Sequence, residues 1–382
     1  MANNNDKKVL NVPALRFPEF TEEWKKCTIK DYGEVITGNT PPTKNIEYYS
    51  NGSYLWASPA DLGLSKHITS TKTKLSLLGL KKTRTIPQGS ILVTCIGSTI
   101  GKMGMATETM STNQQINSVI VNDSTNNDFA YYAILNAFPR YLSEVGVQAV
   151  PILSKSNFEK LPNHTTTKEE QRKLGYFLNL LDERIATQNK IIEDLKKLKS
   201  AIYQELYSNL PGEEKSLSEL AEITKGQQVN GNQLSKNGKY YVMNGGIMPS
   251  GYYDDYNTEA GTISISEGGN SCGYVQYNSS KFWSGGHCYT LHIKPTARIS
   301  TLFLFHFLKW KEADIMTLRI GSGLPNIQKK DLSKVSIIVP TLDKQQRIMT
   351  LLSTFQMKIE HEDMYAINLN KQKQYLLSQM FI

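Results

Sequence analysis

Glu170-Gln171-Arg172-Lys173-Leu174 and Lys344-Gln345-Gln346-Arg347-Ile348 are one stretch written twice, at an offset of 174 residues. The same offset pairs Pro151 with Pro325, Lys155 with Lys329, Lys160 with Lys334, Leu178 with Leu352, Ile185 with Ile359, Leu195 with Leu369, Lys197 with Lys371 and Lys199 with Lys373. A register kept from Pro151 to Lys199 predicts a tandem of two similar units, each a globular part followed by a long helix. A pseudo-symmetric protein suits a target with two halves, and for a basic protein DNA is such a target.

The helices read clearly. From Lys168 to Tyr207 there is no proline, and Gly175 is the only glycine. Leu174, Leu178, Leu181, Ile185, Ile192, Leu195, Ile202 and Leu206 fall at heptad-like spacing. The second copy gives Ile348, Leu352, Phe355, Ile359, Ala366, Leu369, Leu376 and Met380, and Gln188, Lys199, Glu362 and Lys373 interrupt the two stripes at equivalent places. Pro211-Gly212 stops the first helix. Such a helix is a rod of ~60 Å with an apolar stripe to bury. The expectation is antiparallel packing of one rod on the other as a coiled coil, with a globular domain at each end. The alternative is that each rod packs only on its own domain.

At 382 residues the chain has room for two or three cores. No apolar run approaches the ~18 residues of a membrane span. The start, Met1-Ala2-Asn3-Asn4-Asn5-Asp6, has no signal-peptide core, and Cys27, Cys95, Cys272 and Cys288 are sparse, so a reducing cytoplasm is expected. Net charge is +8. Between Asp61 and Glu108 there is no acid, but there are Lys66, Lys72, Lys74, Lys81, Lys82, Arg84 and Lys102. Between Glu267 and Glu312 there is again none, with Lys281, Lys294, Arg298, Lys309 and Lys311. Two such windows in comparable places favour phosphate contact over a merely solvated surface.

The first unit opens with Phe17-Pro18-Glu19-Phe20 and Trp24, then Ile29–Gly38 and a glycine loop, Gly38-Asn39-Thr40-Pro41-Pro42. The second restarts with the same pattern at Leu217–Gly226. Ser90–Thr94 matches Thr262–Ser266 as a strand before a glycine-rich turn, and helices are expected over Phe129–Leu142 and Leu302–Leu318. The fold class is therefore mixed α/β. The expected division is 1–164, first globular domain; 165–210, central helix; 211–338, second globular domain; and 339–382, C-terminal helix.

Catalytic chemistry is not conspicuous. Cys95-Ile96-Gly97-Ser98-Thr99-Ile100-Gly101-Lys102-Met103 imitates a phosphate loop, but three residues rather than four separate the glycines, and Met103 stands where the magnesium-binding Ser or Thr belongs. Its amides could still touch a DNA phosphate. Cys272, His287, Cys288 and His292 lack a C-x-x-C frame, so no metal is expected. No methyltransferase-type Asn-Pro-Pro-Tyr segment or dinucleotide fingerprint is present, and no cofactor of its own is expected.

The chain resembles the DNA-specificity subunit of type I restriction–modification systems. The resemblance covers nearly the whole length. It rests on the tandem layout and on Glu169-Glu170-Gln171-Arg172-Lys173-Leu174 leading into Leu181-Asp182-Glu183-Arg184-Ile185. Pro340-Thr341-Leu342-Asp343-Lys344-Gln345-Gln346-Arg347-Ile348 is similar, as are Gly38-Asn39-Thr40-Pro41, Gly268-Gly269-Asn270-Ser271-Cys272-Gly273-Tyr274 and Gly321-Ser322-Gly323-Leu324-Pro325-Asn326-Ile327. Two places depart from the pattern. Thr166 stands where Pro340 would predict a proline, and Gly146–Pro151 lacks the serine of its partner loop. The resemblance implies two domains that each read half of a split, asymmetric double-stranded DNA site. It also implies helices that set the spacing and dock two methyltransferase subunits, and restriction subunits that join them. Methyl donor and ATP then belong to those partners, and DNA methylation and cleavage are theirs.

Side chains able to make bidentate base contacts near glycine loops are the candidate readers: Asn39, Thr40, Trp56, Ser98, Asn113, Gln114 and Gln115 in the first unit, and Gln227, Gln228, Asn244, Asn270 and Ser322 in the second. Asn and Gln in loops also serve as turn formers. Lys72, Lys74, Lys81, Lys82, Arg84, Lys102, Lys225, Lys281 and Arg319 are the candidate phosphate contacts. The rival readings are a self-contained methylase or nuclease with a duplicated fold, and a nucleic-acid-binding scaffold.

Overall fold

The computed structural model describes residues 11–145, 152–321 and 323–382. It divides into two compact units. Unit 1 runs up to Asn189 and includes Tyr365–Ile382; unit 2 is Lys190–Met364. The division falls inside both long helices, Lys168–Ser208 and Leu342–Met380, so each helix contributes to both units.

In unit 1 a five-stranded sheet takes the order Gly33–Thr37, Ile116–Val121, Ile91–Thr94, Met103–Ala106, His67–Ile68. The Ile91–Thr94 strand is buried on both faces, as its run of branched residues requires. One face carries the helix Asn127–Val145, whose Phe129, Tyr132 and Ile134 are fully buried. A second sheet, Thr73–Leu75, Tyr54–Ala57, Met110–Thr112 and Thr85–Ile86, has a separate small core around Leu55, Leu62, Ile86 and Met110. A ribbon of Lys25–Thr28 with Pro162–Thr165 leads toward the first long helix.

Unit 2 repeats the plan with fewer strands. Its main sheet has the order Ala221–Lys225, Cys288–Ile293, Thr262–Ser266, Val275–Asn278. Its ribbon is Glu213–Ser216 with Ser336–Val339. The expected single helix over Leu302–Leu318 is two, Thr301–Trp310 and Glu312–Thr317, broken at Lys311. The apolar period had carried across the break. Glu312 explains the interruption: its carboxylate caps the Val275 amide at 2.8 Å and takes the Lys309 ammonium at 2.6 Å, which pins the start of the second piece.

The long helices run antiparallel within each unit. In unit 1 Asp182 pairs with Lys373, and Arg184 donates to the Tyr365 hydroxyl at 3.0 Å. In unit 2 Lys196 lies 3.7 Å from Asp363, and Lys199 donates to Gln356 at 2.6 Å. Two of the polar residues that interrupt the stripes are therefore cross-helix ties, Lys199 and Lys373, and they, like their partners Gln356 and Asp182, stand 174 residues apart. Each helix end also enters a domain core. Leu174, Leu178, Leu377, Met380 and Phe381 join the core of unit 1; Tyr203, Tyr207, Ile348 and Leu352 join that of unit 2. Burying each such Leu contributes about 1.5–3 kcal/mol. Both expected modes of burial occur, packing on the partner helix and packing on the domain.

At Thr166 the carbonyl accepts from Gln171 as that of Pro340 accepts from Gln345, and the threonine hydroxyl adds a bond to Glu170 that the proline lacks. The loop Gly146–Pro151 lies outside the described residues.

Candidate nucleic-acid interface

The glycine loops of the two units stand on one backbone design. Gly38 donates to the Ile116 carbonyl at 3.1 Å and Asn39 to Thr112 at 2.9 Å; Gly226 donates to Cys288 at 2.8 Å and Gln227 to Ser284 at 2.8 Å. A β-carbon on Gly38 would sit 2.2 Å from the Thr112 carbonyl oxygen, and one on Gly226 2.3 Å from that of Gly285, so only glycine fits either position. An indole then caps each loop: Trp56 donates to the Asn39 carbonyl at 3.1 Å and Trp283 to that of Gln227 at 2.8 Å.

In unit 1 this frame uses up some of the expected readers. The Asn39 amide donates to the Lys82 carbonyl at 2.9 Å and accepts from the Arg84 amide at 2.8 Å, so it anchors the basic loop instead of facing outward. Arg84 itself reaches back to the Thr37 carbonyl at 2.7 Å. Asn113 is buried and closes a turn with Gln115. Thr40 donates to Gln114 at 2.5 Å. Gln114, Ser98 and Lys102 are exposed, the last two beside Gly97 and Gly101, whose positive φ angles shape the turn. Lys72, Lys74, Lys81 and Lys82 are exposed and form no ion pair among the described residues.

Lys66 behaves differently from its window. It is buried, and its ammonium donates to Asp128 at 2.5 Å and to Asn179 at 2.9 Å. Burial pulls its pKa down, against the pull of Asp128. It is a core ion pair and is not available to a phosphate.

In unit 2 three expected residues line one cleft of about 520 Å³: Lys225, Asn244 and Asn270. Glu267, Ser271, His287 and Asn326 complete its polar wall. Lys225 pairs with Glu267 at 2.6 Å, and Asn244 accepts from the His287 amide at 3.1 Å. Gln227 and Gln228 are exposed on the neighbouring loop and do not line the cleft. Lys281 lies elsewhere, bonded to Tyr256 at 2.8 Å and to Glu259 at 3.1 Å. Arg319 is exposed, and Ser322 lies outside the described residues. The sequence offers His287 only as part of an unframed metal set and does not single out Glu267, since phosphates and base edges call first for cations and amides. The available signal was the position of Glu267, between a strand and a glycine turn.

Among the described residues no group of three or more His, Cys, Asp or Glu side chains is placed to hold a metal ion. No helix among them is long and apolar enough to cross a membrane.

The family model for the type I restriction modification DNA specificity domain matches twice, over residues 21–197 and 211–369. The chain belongs to that family. A putative type I specificity subunit of Mycoplasma pneumoniae is 34% identical over 172 residues, covering 44% of this chain and 46% of that one. The HindI specificity subunit of Haemophilus influenzae is 30% identical over 185 residues, covering 46% and 39%. The chain thus spans about half the length, or less, of the curated relatives it matches. In fold, this specificity-family chain is similar to the crystal structure of a type I restriction–modification S subunit from M. genitalium, with TM-score 0.64 and 19% identity over 97% of this chain and 99% of that one.

Proposed function

We propose that the chain is the sequence-reading component of a type I restriction–modification assembly. Each unit reads one half of a split, asymmetric site in double-stranded DNA. The observation that carries this reading is the double match to the specificity-domain family, joined to loops that share a backbone design and differ in side chains. A shared scaffold with different contact residues is what two different half-sites require.

The exposed lysines of unit 1 supply phosphate contact, and the loop side chains supply base contact. The long helices, continuous through both units, set the unread spacer and offer their outer faces to two methyltransferase subunits. Restriction subunits join that complex. The chain performs no catalysis, and methyl transfer and ATP hydrolysis reside in the partners.

The test is duplex binding by the purified chain with a methyltransferase partner across a salt series. The reading expects tight binding to one sequence class and a steep fall of affinity with salt. Binding to single-stranded RNA in preference to duplex DNA would overturn it.

A further inference from the structure

The cleft of unit 2 holds a charge that its fold does not require. Glu267 is only 8% exposed. Its Oε1 is occupied, by the Lys225 ammonium at 2.6 Å and the Tyr289 hydroxyl at 3.1 Å. Its Oε2 is buried and accepts a hydrogen bond from no described residue. His287 Nδ1 lies 3.6 Å from it, beyond hydrogen-bond reach. A buried acceptor left without a donor is costly, and folding alone gives no return for it.

Unit 1 shows that the position can do without a carboxylate. Cys95 holds the equivalent place: its amide donates to the Gln115 carbonyl at 2.8 Å, as that of Glu267 donates to His287 at 2.9 Å. Each carbonyl then accepts from the segment that follows the domain helices, Leu153 in one unit and Ile327 in the other, both at 2.8 Å. Burial pushes the Cys95 thiol up to about 12, so this position in unit 1 is neutral.

We propose that Glu267 is a specificity residue whose Oε2 accepts a hydrogen bond from an exocyclic amino group, cytosine N4 or adenine N6, at one position of the half-site read by unit 2. This deepens the reading of the chain as a DNA-sequence reader and rests on it. In the major groove only cytosine and adenine present amino donors, whereas guanine O6 and N7 and thymine O4 present lone pairs that a carboxylate repels. Lys225 offsets the charge, so the carboxylate does not drive the phosphate backbone away. Asn244, Asn270 and Asn326 line the same cleft and supply neutral donors and acceptors for the rest of the base edge.

The experiment is a binding scan with the full chain, its methyltransferase partner and duplexes varied one base pair at a time. Wild type should lose roughly tenfold or more at one cytosine or adenine position of a single half-site. The same loss should follow when that base is replaced by its amino-deleted analogue, 2-pyrimidinone for cytosine or purine for adenine. This arm needs no protein variant and is independent of folding. Glu267→Leu, which removes the acceptor that an amide would keep, should flatten the preference at that position and leave the other half-site unchanged. The inference is overturned if the amino-deleted duplex binds wild type as well as the natural one, or if Glu267→Leu keeps the same ranking at every position. A wild-type protein with no sequence preference on any duplex would instead overturn the reading beneath it.

Discussion

Gln171 and Gln345 make the same two hydrogen bonds, 174 residues apart. Gln171 Oε1 accepts from the Asn126 amide at 2.8 Å, and its amide donates to the Thr166 carbonyl at 2.8 Å. Gln345 Oε1 accepts from the Ser300 amide at 2.9 Å, and its amide donates to the Pro340 carbonyl at 3.0 Å. Both glutamines are buried. Each one ties the first turn of a long helix to the residue that precedes its domain helix. The repeated segment is thus a joint between rod and domain.

Replacing Gln345 with Leu should therefore cost about 1–3 kcal/mol, because the Ser300 amide and Pro340 carbonyl lose their partner. Gln171→Leu should cost a similar amount. Urea unfolding measures both. A loss below about 0.5 kcal/mol in each would show that the joint is not held by these bonds.

The basic loop of unit 1 separates surface lysines from a core one. Lys81→Gln with Lys82→Gln should weaken binding to all duplexes alike and reduce the salt slope by about two. Lys66→Met should leave the slope unchanged while lowering stability, since it strands the Asp128 partner. Titrations at several salt concentrations decide the matter; equal slopes for wild type and the double variant would remove this loop from the interface.

Unit 2 should be sensitive to mild acid through His306. Burial and then the Lys199 charge lower its pKa to about 4, and its Nδ1 shares a hydrogen bond with the Tyr203 hydroxyl at 2.8 Å. The unfolded chain binds this proton near pH 6.5 and the folded chain only near 4. Stability is then full above about pH 6.5 and falls as pH drops toward 4, by up to about 3 kcal/mol. The residue 174 positions earlier is Tyr132, which does not titrate in this range and donates to Asp182 at 2.6 Å. Chemical denaturation from pH 7 to 5 should show His306→Tyr losing less stability than wild type. Parallel losses would assign the acid sensitivity to other groups.

Much of this was legible before the structure, for physical reasons that can be named. A helix advertises itself by period, so the extents of both rods and their stripes could be read from Leu174 to Leu206 and from Ile348 to Met380. Duplication displayed Gln171 and Gln345 together. What could not be read depends on which neighbours meet. Lys66 looks like Lys72 in a window without acids, but Asp128 lies beyond the window's edge and pulls it inward. Asn39 and Asn113 carry the chemistry of base readers, yet the glycine loop needs them as braces. Glu267 was passed over because acids are rare in interfaces that meet phosphate.

Lengthening both rods tests their part as a spacer. Four residues inserted after Gln188 and four after Glu362 add ~6 Å, about one helical turn, and keep the apolar stripe nearly in register. DNA rises ~3.4 Å per base pair along each strand. The unread gap should grow by one or two base pairs while both half-site sequences stay the same. An unchanged gap with retained activity would mean that the helices do not set it.

The most direct measurement of the central claim is methylome sequencing of cells carrying the chain with its methyltransferase partner, alongside a chimera in which residues 1–160 come from a relative. The account predicts modification at a site of two defined segments around a fixed unspecified gap, with one segment replaced in the chimera and the other retained. A single continuous recognition sequence, or a chimera in which both segments change, would contradict it.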